Sequence, residues 1–82
     1  MVVKIEIDPR DITDDNRDST TDCPVARAIK RALPGADVNV GWQTAYINHR
    51  CIKLPSHVQR WIGDMCARNP VVEMGATLRL SE

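Results

Sequence analysis

Cys23 is followed by Pro24 at what reads as the start of a helix. A thiol at that position sits among unpaired amides and the positive end of the helix dipole, which lower its pKa and make a nucleophile. Such a nucleophile needs a general base, for which the sequence offers two histidines, His49 and His57. The other reading of Cys-Pro is a capping and packing device. Three cysteines, Cys23, Cys51 and Cys66, are odd in number and lack C-x-x-C spacing, so neither a disulfide framework nor a zinc motif is expected. Asp14-x-Asn16-x-Asp18 imitates the opening of a calcium loop, but Ser19 stands where the turn wants glycine and Val25 occupies the twelfth position in place of a bidentate glutamate. Gly35, Gly41, Gly63 and Gly75 are isolated, so there is no phosphate loop. The expectation is therefore no catalytic residue, no metal and no cofactor, with a Cys23 thiol enzyme kept as the third functional alternative.

The charges carry more information than the nucleophiles. Lys plus Arg equals Asp plus Glu at 11 each, yet residues 1–22 hold seven acids and three bases, a net of −4. Residues 23–68 hold seven bases and two acids, +5, and the remainder contributes −1. Either the fold neutralises itself or it shows two faces of opposite sign to a partner. Asp14, Asp15 and Asp18 are the candidate partner-binding acids. Arg27, Lys30 and Arg31 are the candidate bases, extended by Arg50, Lys53 and Arg60 into a stripe able to track phosphates, with Trp42 or Tyr46 stacking on a base. The neutral total and a pI near 6.7 weigh against nucleic acid. Trp42 follows Gly41 in a turn, where no periodicity calls for burial, and this makes it a candidate interface anchor.

The elements that must position these residues follow from periodicity. Val3, Ile5 and Ile7 alternate with Lys4 and Glu6, a half-buried strand over residues 2–7 ended by Asp8-Pro9. Residues 8–21 hold Ile12 as their one large apolar side chain and read as an acidic loop, mobile in the free protein and ordered by a partner. Asp22 or Thr21 caps a helix running to about Leu33, with Val25, Ile29, Ala32 and Leu33 inward and Arg27, Lys30 and Arg31 outward. Short strands follow at 38–40 and 44–48, the second with an extension through Cys51 and Ile52. Leu54-Pro55-Ser56 opens a second helix with Val58, Trp61, Ile62, Met65 and Cys66 inward, ended by Asn69-Pro70. A last strand over about 71–80 pairs with the first. The order is β-α-β-β-α-β, that of the split βαβ or ferredoxin-like arrangement: an α+β domain spanning 1–82, with one antiparallel sheet and two helices on one face. At 9.2 kDa the chain supports one thin core. No apolar run approaches a membrane span and the N-terminus is no signal peptide, so a cytoplasmic protein is expected.

The pattern Cys23-Pro24-Val25-Ala26, then Ala28-Ile29-Lys30-Arg31-Ala32, Val38-Asn39-Val40-Gly41, and Leu54-Pro55 with Val58 and Trp61-Ile62 resembles small α+β proteins of phages and bacteria that have no assigned activity. Its motifs are structural punctuation, so no functional residue carries over. The resemblance implies a phage-type protein that binds a host or defence component. The leading expectation is thus a non-enzymatic interaction protein, anti-defence in kind, binding a protein partner through its charged faces and Trp42. The alternative is a nucleic-acid-binding module on the face of Arg27, Lys30 and Arg31. Pairing of two copies through an exposed edge strand stays open.

Overall fold

The computed structural model describes residues 2–13 and 15–80, so the expectation placed on Asp14 lies outside the described residues. The order is β1 (Val2–Ile7), α1 (Pro24–Ala32), β2 (Val38–Val40), β3 (Thr44–Ile47), β4 (Arg50–Lys53), α2 (Ser56–Cys66) and β5 (Met74–Arg79). The α+β class holds, and the first and last strands pair antiparallel as expected, from Val2 opposite Arg79 to Ile7 opposite Met74.

The single ferredoxin-like sheet does not form. β1 and β5 make one two-stranded sheet, and β2, β3 and β4 make a separate antiparallel sheet in that order. The cause is local. Asn48 and His49 both adopt left-handed backbone, with φ of 52° and 70°, and turn the chain back after Ile47. A two-residue hairpin with positive φ at both centres matches the twist of its strands. The expected extension through Cys51 and Ile52 therefore returns as β4 and takes the second edge of β3. With β2 on its other edge, β3 has no edge left for β1.

Both sheets and both helices meet in one core. Val3, Ile5 and Ile7 of β1, Val25 and Ile29 of α1, Val38, Val40, Ala45, Ile47 and Ile52 of the meander, and Val58, Trp61, Ile62 and Met65 of α2 are all buried. Burying a side chain such as Ile29 or Met65 contributes about 2–3 kcal/mol. α1 buries Ala26 and Ala28 as well as Val25 and Ile29, a wider face than one stripe, because it packs on β1 and on β2. Its N-cap is Cys23, not Asp22 or Thr21: the sulfur accepts from the Ala26 amide at 3.4 Å. β5 starts three residues later than expected. Residues 71–73 stay outside the ladder, and the Trp61 indole Nε1–H donates to the Val72 carbonyl at 2.7 Å, fixing the approach to the strand.

The acidic segment has a centre. Asp8 caps a 3-10 turn over Pro9–Asp11, and Asn16 is 2% exposed. The Asn16 Oδ1 accepts from the Thr13 amide at 2.7 Å, and its Nδ2 donates to the carbonyls of Asp11 (2.7 Å) and Asp22 (2.9 Å). One amide side chain thus ties together three backbone points along the segment. The Thr20 carbonyl accepts from Val40 N–H at 2.7 Å, which docks the segment on the outer edge of β2. Polar closure substitutes here for the burial that Ile12 alone could not supply.

Candidate partner-binding site

The α1 bases singled out by sequence are engaged within the fold by Asp22, Asp11 and backbone carbonyls, and not by Asp15 or Asp18. Arg27 makes a bidentate pair with Asp22, Nε to Oδ1 and Nη2 to Oδ2, both at 3.0 Å. Arg31 Nη2 lies 2.7 Å from Asp11 Oδ2 and donates to the Glu6 carbonyl at 3.0 Å. Lys30 Nζ donates to the Thr21 carbonyl. The hydrogen-bonded Arg27 holds the Asp22 carboxyl below the usual carboxylate range, and Asp22 raises Arg27 in turn. Arg10 does the same to Asp8 through hydrogen bonds to its side chain. The other bases do not extend the stripe: Arg50 and Lys53 stand on β4, across the sheet from the β2 strand that α1 touches, and Arg60 is on α2. Two ion pairs, Asp22 with Arg27 and Asp11 with Arg31, join the two halves of the −4/+5 partition.

Asp15 and Asp18 remain exposed, with no ion pair to either among the described residues. Within the calcium-like spacing, the Asn16 side chain is engaged by backbone groups. No group of three His, Cys, Asp or Glu able to hold a metal occurs among the described residues. Replacing Asp15 and Asp18 together by Ala should change folding stability by no more than about 0.5 kcal/mol, as for surface sites without special contacts. Urea denaturation checks this.

Cys23 is buried and lines a cavity of about 160 Å³ with Cys66, Asp18 and Trp42, but with neither histidine. His49 lines a different hollow and His57 another again. Burial pushes the Cys23 thiol up, outweighing the Ala26 and Val25 amides that would lower it, and burial also raises Cys66. Burial at the helix start thus works against the thiolate that the helix dipole would favour. Cys51 is exposed. Alkylation should modify Cys51 first and Cys23 slowest at every pH from 5 to 9. Since the folded thiols hold their protons longer than unfolded ones, stability should be full below an unfolded thiol pKa of about 8.5 and decline as pH rises above it.

The solvent face of the meander is where unpaired chemistry collects. In the ladder Asn39 faces Tyr46 and Tyr46 faces Cys51, so these three project away from the core while Val38, Val40, Ala45, Ile47 and Ile52 project into it. Over this face lies an open hollow of about 620 Å³, lined by Asn39, Thr44, Tyr46, Asp37, His49 and Thr20. It adjoins the smaller cavity, since Thr20, Val40 and Gly41 line both. Tyr46 is 52% exposed beside the first hollow and Trp42 is 63% exposed beside the second, whereas Trp61, the remaining aromatic, is 5% exposed. Trp42 is thus exposed in its turn. Tyr46 enters as its companion, and its signal was legible: it is the large outward residue between inward Ala45 and Ile47. Asp37 and His49 gave no such signal, because the hairpin that brings His49 Nε2 to 3.8 Å from Asp37 Oδ2 was not foreseen.

No protein-family model matches this chain, and no curated protein or solved structure matches it. No helix among the described residues is long and apolar enough to cross a membrane.

Proposed function

We propose that this chain is a non-enzymatic interaction protein of the cytosol that holds a protein partner across the outer face of β2, β3 and β4 at Tyr46 and the β2–β3 turn at Trp42, with these two side chains as anchors and Asp15 and Asp18 as flanking charges. The observation that carries the reading is that two of the chain's three aromatic side chains stand in solvent on adjoining hollows. Tyrosine and tryptophan on a surface are the residues that most often dominate binding energy at an interface. The partner proposed is a host or defence component, the chain being of phage type. Direct nucleic-acid binding by Arg27, Lys30 and Arg31 is less well supported, because each already has an acceptor within the fold that phosphate would have to displace.

Affinity capture tests the reading. The full chain, immobilised through a C-terminal tag, is exposed to a bacterial lysate at low and at high salt. A specific protein retained under both conditions is expected, since aromatic anchoring survives screening. Recovery of nucleic acid alone, or of no specific protein at either salt, would sink the proposal.

A further inference from the structure

We infer that the hollow over β2 and β3 is a seat for a cationic side chain, arginine above all, carried by an extended segment of the partner protein; this deepens the proposed function and rests on it. Asp37 is the one carboxylate lining that hollow, and no Lys or Arg lines it. Its backbone is clamped on both sides by Asn48: the Asp37 amide donates to Asn48 Oδ1 at 3.0 Å and its carbonyl accepts from the Asn48 amide at 2.8 Å. The carboxylate is therefore presented from a fixed base, and its side chain is 64% exposed. Its one ion-pair neighbour among the described residues is His49, at 3.8 Å, beyond hydrogen-bond range.

Asp8, Asp11 and Asp22 show the contrast, since each has an arginine nitrogen within 3.0 Å. At Asp37 the lining of the hollow contains no Lys or Arg. The Tyr46 ring stands in the same hollow, and an aromatic face attracts a cation. A guanidinium offers five donors in a planar fork. Here it meets a carboxylate for a charge-assisted pair and a ring to stack on, with Thr20, Asn39 and Thr44 in the same lining as sources of further acceptors.

The extended shape of the occupant follows from the floor. Thr20, Val40 and Gly41 line both hollows, so a segment laid along the hairpin passes from one to the other. The second hollow repeats the pairing of an aromatic with a carboxylate, Trp42 with Asp18, although Arg17 lines it too and offsets Asp18. The first hollow is therefore the stronger seat, and a segment crossing the junction reaches both aromatics.

The test uses the ¹⁵N-labelled full chain and two probes, the peptide acetyl-Thr-Arg-Thr-Arg-Thr-amide and its neutral analogue with citrulline at both arginine positions. The arginine peptide should shift the amides of Asp37, Asn39, Thr44 and Tyr46 and bind about tenfold more tightly than the citrulline peptide. Asp37→Asn preserves the backbone clamp and should reduce the arginine peptide to the citrulline affinity. Equal affinity for the two peptides, absence of shifts at millimolar peptide, shifts confined to α1, or displacement by a single-stranded 12-nucleotide DNA would each overturn the inference. Lysate capture separates this failure from failure of the broader reading. If Asp37→Asn retains the captured protein while Trp42→Ala with Tyr46→Ala loses it, the arginine seat falls and the interaction surface stands.

Discussion

An Asn16→Ala variant is expected to lose about 3 kcal/mol of folding stability and at least roughly 10 °C of melting temperature, the largest effect foreseen for any polar residue of this chain. Truncation removes an acceptor from the Thr13 amide and a donor from the carbonyls of Asp11 and Asp22. Each stranded group costs on the order of 1–3 kcal/mol to the extent that water does not reach it. For a domain of this size the loss is a large share of total stability. Asn16→Asp distinguishes hydrogen bonding from shape. At neutral pH the carboxylate keeps the acceptor for Thr13 but aims oxygen at two carbonyl oxygens, so the variant should be at least as unstable as Asn16→Ala. Protonation restores one donor, so its deficit relative to wild type should shrink as pH falls through the carboxyl pKa, which this environment raises. Thermal melts of the three proteins from pH 4 to 7 check the sign. A stability within 0.5 kcal/mol of wild type for Asn16→Ala would mean that the segment is not held as described.

Replacing Trp42 and Tyr46 together by Ala should weaken partner binding by at least about 100-fold, which is about 2.7 kcal/mol, a modest total for two aromatic anchors. Folding should change by no more than about 1 kcal/mol, because both side chains are exposed and Tyr46 contributes mainly strand propensity. The opposite split, stability lost and binding kept, would mark them as structural. Titration of the captured partner against wild type and double variant, with urea denaturation of each, measures both quantities.

What was legible in the sequence was what local periodicity encodes. Val3, Ile5 and Ile7 announce β1, and Val58, Trp61, Ile62 and Met65 announce α2, because burial repeats along a strand or helix at a fixed interval. The hairpin at Asn48-His49 was not legible, since asparagine tolerates left-handed backbone but histidine rarely signals it, and the glycine that usually marks such a turn is absent. That one turn converted an expected single sheet into two and built the hollow around Tyr46. Asn16 was equally hidden. Its partners lie three, five and six residues away with no period, and a buried amide has no pattern of its own until the loop closes around it. The charge partition was visible as arithmetic, but its resolution depends on contacts such as Arg31 with the Glu6 carbonyl, 25 residues apart. Composition therefore suggested two charged faces, where the fold pairs Asp22 with Arg27 and Asp11 with Arg31 and leaves Tyr46 on the sheet face and Trp42 in the β2–β3 turn exposed.

Site-specific photo-crosslinking tests that central claim most directly. A benzoylphenylalanine is placed at position 46 on the sheet face in one protein and at position 30 on α1 in another, and each is irradiated in a bacterial lysate. The account predicts a discrete protein adduct from position 46, lost when Trp42→Ala is added, and none from position 30. A protein adduct from position 30 with none from position 46, or nucleic acid as the adduct at either position, would contradict it.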